Sequence, residues 1–226
     1  MKLKPLFIFT LLLTTVIFSC KKKDDVTSPV VGFAVADIIG TTNTSCTNIS
    51  DATALNGTSY LRSLTVNANS TYSYSVLYFS TTNCTLGGGD NFMNFSQSGN
   101  IAINGLSATV TSASELTLTP TSNATLTVYG ATSAGSNWAG YLNSYCGGGL
   151  SFSISATASQ NMSGKTCTRV SAPAFTLDTF PTTTAVQNVG VFVTSPKTLT
   201  LGLPSILWSP GTAGSYPTSA TLVFTY

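Results

Sequence analysis

Apolar and polar side chains alternate along much of the chain, as half-buried β-strands require. Between positions 71 and 79 one face of a predicted strand is formed by the even-numbered residues, which are Tyr72, Tyr74, Val76 and Tyr78. Leu77 and Phe79 add apolar groups to the opposite face. We therefore expect this strand to be buried on both sides near its end.

The preceding segment alternates in the same way. Residues 60–66 place Arg62, Leu64 and Val66 on one face, and the turn-forming cluster Asn-Ala-Asn-Ser at 67–70 follows. The two segments predict a β-hairpin. Arg62 stands mid-strand among apolar neighbours, and two interpretations remain open. It is either a solvent-facing rung or an interior guanidinium that anchors a carboxylate or hydroxyl head group.

Further short strands are spaced regularly between turn residues. They are predicted over residues 31–39, 100–104, 114–119, 124–129, 150–157, 165–171, 188–194, 198–203 and 219–226. Short connections within 114–129 and 188–203 predict two more hairpins. The pattern indicates an all-β fold, either an antiparallel β-barrel or half-barrel, with a β-sandwich as the alternative.

One segment has helical rather than alternating spacing. Trp138, Tyr141, Leu142 and Tyr145 recur at intervals of three and four residues. This spacing predicts one short amphipathic helix over residues 137–146. Asn137 is a suitable N-cap for it.

The chain begins with a basic and then apolar leader. Lys2 and Lys4 precede an apolar run over residues 6–18 that is short for a membrane span. The run ends in Ile-Phe-Ser-Cys at positions 17–20, which resembles the lipobox of bacterial lipoproteins. The alternative is an ordinary secretory signal with an incidental cysteine.

The lipobox resemblance implies a division of the chain into three parts. Residues 1–19 are then a removed signal peptide, residues 20–30 carry the lipidated Cys20 and a tether, and residues 31–226 form a single β domain. Lys-Lys-Lys-Asp-Asp at positions 21–25 resembles the surface-export signal of Bacteroidetes lipoproteins, with a solvated spacer as the alternative. We expect a lipid-anchored protein of a Gram-negative outer membrane, facing the cell surface.

Charge is scarce in this chain. Of its 226 residues 42% are hydrophobic and only 7% are charged. From Val26 onward four cations stand against five acids, a net charge of −1. Such a surface offers no basic patch for phosphates, which argues against a nucleic-acid partner. The sequence does not specify an oligomeric state.

Four cysteines remain after Cys20. An even number in an exported chain indicates two disulfides, for which three pairings are possible. We prefer Cys46–Cys84 and Cys146–Cys167, because each bridge then staples one half of the domain locally. Four thiols could also hold zinc, but the chain lacks both a CxxC motif and histidine.

Catalytic chemistry finds little support in the sequence. The absence of histidine excludes Ser-His-Asp and Cys-His catalysis. The five carboxylates after Val26 stand mostly beside turn residues, and neither late lysine lies in a Ser-x-x-Lys motif. We therefore predict a protein that is not an enzyme and holds no metal or cofactor.

Several short motifs together resemble a known family. They are Cys46, residues 59–63 (Ser-Tyr-Leu-Arg-Ser), residues 69–72 (Asn-Ser-Thr-Tyr), Tyr78, residues 83–85 (Asn-Cys-Thr), Leu142-Asn143, Cys146-Gly147, residues 164–167, residues 201–203 (Leu-Gly-Leu) and residues 216–218 (Tyr-Pro-Thr). This set is similar to lipocalin-like bacterial lipoproteins related to the extracellular domain of the adenomatosis polyposis coli down-regulated family. The resemblance implies a lipocalin-like barrel or half-barrel with a hydrophobic cavity.

Two functions of different classes follow. In the first, the protein binds a small hydrophobic ligand in its barrel, lined by Tyr72, Tyr74 and Tyr78 with Arg62 pointing inward. In the second, it is a structural or adhesive surface module that contacts glycans or proteins through its Ser/Thr/Asn-rich faces. Trp208 is then the best candidate for a surface contact, and the alternative is that it is an aromatic plug beneath a loop.

Overall fold

A computed structural model describes residues 34–49, 58–85, 89–111, 113–146, 149–165, 188–193, 198–201, 212–213 and 222–225. A 3-10 turn (Val35–Ile38) and the helix α1 (Ser133–Tyr145) accompany the strands. The strands are β1 (Gly40–Asn43), β2 (Thr47–Ile49), β3 (Thr58–Val66), β4 (Thr71–Phe79), β5 (Asn91–Leu106), β6 (Ala113–Pro120), β7 (Thr125–Tyr129), β8 (Thr157–Asn161), β9 (Asn188–Val193), β10 (Thr198–Leu201), β11 (Thr212–Ala213) and β12 (Leu222–Thr225).

The centre of the sheet is the antiparallel meander β3–β4–β5. β3 and β4 form the predicted hairpin, with Arg62 opposite Val76 and Val66 opposite Tyr72. β4 pairs along its whole length with β5, where Phe95 lies opposite Val76. Because side chains alternate between faces, this register puts the even-numbered residues of β3 and β4 and the odd-numbered residues of β5 from Met93 to Gly99 on one side. The register shifts between Tyr78 and Phe79, and Phe92 joins the same core there.

The sheet curls round from this meander. β5 pairs with β6, β6 with β9, β9 with β10, β10 with β12, and β12 reaches β1, which pairs with β3. Among the described residues, one pair, Asn43–Thr225, joins β1 to β12, and one pair, Val193–Thr198, joins β9 to β10. The sheet is therefore barrel-like but open along these seams. The predicted all-β antiparallel fold with one short helix is confirmed.

Strands β6 and β7 pair one after the other along the long strand β5. One edge of β5 pairs with β4, while its other edge pairs with β7 through Met93–Ser96 and with β6 from Gly99 onward. The predicted hairpin within residues 114–129 is therefore wrong, because β6 and β7 follow one another along β5. The backbone amides of Thr121 and Ser122 both donate to the Ser98 carbonyl. These bonds hold the segment between β6 and β7 against β5.

Two other predicted strands are also wrong. Within the segment 31–39, residues 35–38 form the 3-10 turn instead. The segment 150–157 is irregular, and the strand β8 begins only at Thr157. Here the Asn143 side chain donates to the Phe152 carbonyl at 2.9 Å and accepts from the Phe152 amide at 2.7 Å. This side-chain amide supplies the hydrogen bonds that a neighbouring strand would otherwise provide.

The inner face of the curled sheet carries the main core. Tyr72, Tyr74, Val76 and Tyr78 of β4 are fully buried there, together with Leu64, Phe95, Leu116, Leu126, Leu199 and Phe224 from other strands. A second, smaller cluster of Leu61, Phe79 and Cys84 covers the opposite face near the end of β4. The predicted burial of β4 on both faces is thus confirmed.

The helix α1 begins earlier than predicted, at Ser133 rather than at residue 137. Thr132 is its N-cap, since the Thr132 hydroxyl accepts from the Gly135 amide at 2.9 Å and donates to the Tyr129 carbonyl at 2.9 Å. Trp138, Ala139 and Leu142 are the apolar face that packs on the core. The turn after β7 therefore fixes where the helix starts.

Two glycines of α1 provide a test of this packing. A Cβ on Gly135 would collide with the Tyr129 carbonyl oxygen, whereas one on Gly140 would meet open space. We expect Gly135→Ala to lower the free energy of unfolding by about 1–3 kcal/mol. Gly140→Ala should raise it by up to about 1 kcal/mol through helix propensity. Urea denaturation measures both, and equal effects of the two substitutions would contradict the described docking of the helix.

Candidate functional site

Four polar side chains of the inner face form what we call the interior polar cluster. It consists of Arg62 on β3, Tyr72 and Tyr74 on β4, and Gln97 on β5. The register places Gln97 directly opposite Tyr74, and Arg62 lies one diagonal step from Tyr74. Two of these residues, Arg62 and Gln97, are strongly polar and yet lie in the most apolar region of the molecule.

Arg62 is the centre of this cluster. Its side chain is only 5% exposed, so the interpretation of a solvent-facing rung is wrong. The guanidinium carbon lies 5.7 Å from the ring centre of Tyr60, within the range of a cation–π contact. The guanidinium also acts to lower the pKa of the Tyr74 hydroxyl, against the larger effect of burial. Its Nε and Nη1 atoms have no hydrogen-bond partner among the described residues.

Gln97 and Tyr72 also have buried polar atoms without a described hydrogen-bond partner. Gln97 is 2% exposed, and neither its amide nitrogen nor its amide oxygen has a partner within the described part of the chain. The Tyr72 hydroxyl likewise finds no partner there. Leaving a buried donor or acceptor unpaired costs about 1–3 kcal/mol. The inner face therefore presents both donors and acceptors that a bound molecule could satisfy.

Arg62 is the one charged member of this cluster, and no carboxylate among the described residues compensates it. Of the described carboxylates, Asp37 and Glu115 accept from the backbone amides of Ala34 and Ala108, and none pairs with Arg62. Burial raises the pKa of Tyr72 well above its ordinary value. It does the same for Tyr74 and Tyr78, against the opposing influence of the Arg62 charge on their pKa values. At neutral pH these tyrosines are uncharged donors, and Arg62 sets the sign of the site.

A pocket of about 330 Å³, which we call the end pocket, lies where α1 meets the start of β3. Its lining comprises Thr58, Ala134, Asn137, Trp138 and Tyr141. Thr58 is on the same face of β3 as Tyr60 and Arg62, because their positions differ by even numbers. The end pocket therefore opens at one end of the inner face that carries Arg62. Its volume is at the lower end of the range for small-molecule sites.

Aromatic rings run without interruption from Arg62 to this pocket. Successive ring centres are 6.1 Å apart from Tyr60 to Tyr78, 6.3 Å from Tyr78 to Phe92, and 6.4 Å from Phe92 to Trp138. The series continues along α1 through Tyr141 to Tyr145, which is exposed. This run of rings gives the inner face an apolar surface between the buried cation and solvent.

A second pocket, of about 340 Å³, lies over β4, β5 and the start of β7. We call it the hydroxyl groove, because Ser73, Ser75, Ser96, Ser98 and Thr125 contribute to its lining. Hydroxyl-bearing residues stand opposite one another here, with Ser63, Ser75, Ser96 and Thr125 in one row across four strands. The groove is polar and uncharged.

The predicted disulfide Cys46–Cys84 is present, with its Cα atoms 5.7 Å apart. Cys146 is also disulfide-bonded, while its predicted partner Cys167 lies outside the described residues. Cys20 and Trp208 lie outside them too, so their predicted roles in lipidation and surface contact stay predictions. In the part of the chain that the structure describes, no three metal-ligating side chains cluster.

Arg62 and the three tyrosines share the inner face, as the ligand-binding hypothesis expects, whereas Gln97 and the end pocket were not predicted. Gln97 lies in the part of β5 that was not predicted as a strand. The alternation Phe95, Gln97, Gly99, Ile101 is the signal that could have identified it. The end pocket is lined by Thr58 of β3 and by residues of α1 that follow it by more than 70 positions. No local sequence pattern therefore predicts it.

No protein-family model matches the chain, and no curated protein matches its sequence. Within the described residues, no helix combines the length and the apolar character needed to span a membrane. The resemblance to lipocalin-like lipoproteins therefore stays an expectation that the sequence motifs alone support.

Paired tyrosine substitutions test the assignment of partners inside the sheet. We expect Tyr72→Phe to leave the free energy of unfolding unchanged or to raise it by about 1 kcal/mol, since it deletes a hydroxyl that has no described partner. Tyr74→Phe should lower it by about 1–3 kcal/mol, because the buried Arg62 charge loses a polar neighbour that interacts with it. Chemical denaturation at pH 7 compares them, and a larger loss for Tyr72→Phe than for Tyr74→Phe would contradict the geometry.

Proposed function

We propose that this protein binds a small, largely hydrophobic molecule on the inner face of its curled sheet, with a polar head group at Arg62. The observation that carries this proposal is the buried guanidinium whose Nε and Nη1 lack described partners. Arginine in such a place destabilises the fold unless a partner compensates it. A bound head group would provide that partner.

The rest of the inner face supports a ligand with an apolar body. Around Arg62 lie Val76 and Phe95 in the same cross-strand row, and the aromatic run leads from Tyr60 toward the end pocket. Pockets that bind small molecules are mainly apolar with a few well-placed polar groups. The interior polar cluster and the surrounding rings have this composition.

We further propose that the protein acts without catalysis as a lipid-anchored surface protein. The lipobox-like sequence at positions 17–20 supports attachment through Cys20 to a bacterial outer membrane, and residues 21–25 support exposure at the cell surface. A permanently anchored binding domain would hold its ligand close to the membrane. Carriage or sensing of an amphipathic molecule is the role that fits this position.

Native mass spectrometry tests the proposed binding. We expect the protein, purified from cells that express the full chain, to carry extra mass that is lost on denaturation and is identified as an amphipathic molecule. Arg62→Met should lose this mass while keeping or raising the midpoint of thermal unfolding relative to the ligand-free wild-type protein, because a buried cation that no described carboxylate compensates is replaced by an apolar side chain of similar length. A ligand retained in full by Arg62→Met would rule out the assigned head-group site.

A second candidate function is adhesion to neutral glycans or proteins through the outer face. The hydroxyl groove and its row of opposed Ser and Thr residues favour it, since hydroxyls without charge suit neutral, hydrogen-bonding partners. We expect adhesion of this kind to be reduced at least about tenfold by Ser75→Asp with Ser96→Asp. Surface plasmon resonance on immobilised neutral polysaccharide measures it, with Ser159→Asp on β8 as a matched control outside the groove.

A further inference from the structure

We propose that the ligand is a single-chain amphiphile with an anionic carboxylate head, and that the end pocket is the entrance through which its apolar chain projects. This inference rests on the proposed ligand binding and specifies both the charge of the head group and the position of the chain. It assigns to Thr58, Trp138 and Tyr141 a role that the sequence did not predict.

The sign of the head group follows from the balance of charge inside the sheet. Arg62 is a permanent cation, and none of the described carboxylates neutralises it. The tyrosines around it are uncharged, so they compete weakly for its donors. Nε–H and the two N–H groups of Nη1 are three donors without a described acceptor. A carboxylate accepts from such donors and compensates the charge, whereas an alcohol does only the first.

The position of the chain follows from the geometry of β3. Thr58, Tyr60 and Arg62 share the inner face, and the four steps from Thr58 to Arg62 span about 13 Å along a strand. Thr58 borders the end pocket, and Tyr60 stands between this pocket and the guanidinium. A molecule whose head reaches Arg62 from the end pocket must therefore pass the Tyr60 ring. Along this path it meets aromatic rings, which suit an alkyl chain and offer little to a polar one.

The opposite direction is less open to an extended chain. Beyond Arg62, Leu64 and Val66 of β3 are packed against Tyr74 and Tyr72 of β4, and all four are fully buried. Gln97 lies in the same row as Leu64 and Tyr74, with both of its amide atoms unpartnered among the described residues. A polar head is therefore expected on this side of Arg62 and the apolar chain on the other.

Calorimetric titration with three matched probes tests the charge. The probes are dodecanoate, dodecan-1-ol and dodecyltrimethylammonium, each below its aggregation limit, added to delipidated protein prepared from the full chain. We expect dodecanoate to bind at least about tenfold more tightly than dodecan-1-ol and the ammonium probe to bind most weakly. Arg62→Met should abolish the preference for dodecanoate, and Arg62→Lys should restore part of it.

The entrance is tested by filling the end pocket from α1. Ala134→Leu narrows the pocket and should weaken dodecanoate binding at least about tenfold, whereas Gly140→Ala on the same helix, which meets open space, should leave it unchanged. Thermal unfolding of each variant verifies that it is folded. Unchanged affinity in a folded Ala134→Leu variant would overturn the assignment of the entrance.

The outcomes separate this inference from the proposed function. If dodecanoate and dodecan-1-ol bind equally and both affinities survive Arg62→Met, ligand binding stands but the anionic head is refuted. If no probe binds and the purified protein carries no ligand mass, the proposed function itself fails. Preference for dodecanoate that depends on both Arg62 and Ala134 supports the inference in full.

Discussion

The alternation of side chains along β4, held between β3 and β5, is the constraint on which the rest of this structure depends. Every even-numbered residue from Tyr72 to Tyr78 is buried on the inner face, and the two neighbouring ladders fix which residues stand beside them. A slip of one residue between β3 and β4 would move Arg62 to the outer face and bring Leu61 inside. Such a slip would destabilise the fold, because large aromatic rings would lose their burial. The same interaction that stabilises the fold thus places the cation.

At position 62, the residue that would best stabilise the fold differs from the residue that the proposed site needs. An apolar residue at this position would pack among Val76, Phe95 and the tyrosines without a cost for desolvation. The described structure instead has a guanidinium that contacts the Tyr60 ring and whose Nε and Nη1 lack partners among the described residues. Local violations of packing rules are expected where a sequence serves a function rather than stability. Gln97, unpartnered within the described residues and two strands away, breaks the same rule on the same face.

The sequence predicted those parts of the fold that local alternation encodes. The β3–β4 hairpin, the double burial of β4 and the Cys46–Cys84 bridge are confirmed, because each follows from a pattern within fewer than 40 residues. The end-to-end arrangement of β6 and β7 could not be predicted in this way. Pro120 and the residues after it have the composition of a hairpin turn, and only their hydrogen bonds to Ser98, a distant residue, make them a break along β5 instead.

The errors at α1 and near residue 152 have a similar cause. Thr132 and Asn137 are both acceptable N-caps, and the choice of Thr132 depends on its hydrogen bond to the end of β7. Asn143, an exposed residue of α1, hydrogen-bonds the backbone of Phe152 through its side chain, where a strand was predicted. In each case one side-chain hydrogen bond between elements outweighs a local preference of similar size.

The scarcity of charge makes the position of Arg62 more informative than it would be in an ordinary protein. The outer faces of the sheet are solvated by hydroxyls, as in the row of Ser63, Ser75 and Ser96, rather than by lysines and glutamates. Among the buried residues that the structure describes, Arg62 is the one that carries a charge, so its guanidinium dominates the electrostatic potential around them. Salt screens exposed charges over about 10 Å at 0.1 M but reaches a buried group poorly. Attraction between this site and an anionic head group should therefore persist at ionic strengths that abolish surface electrostatics.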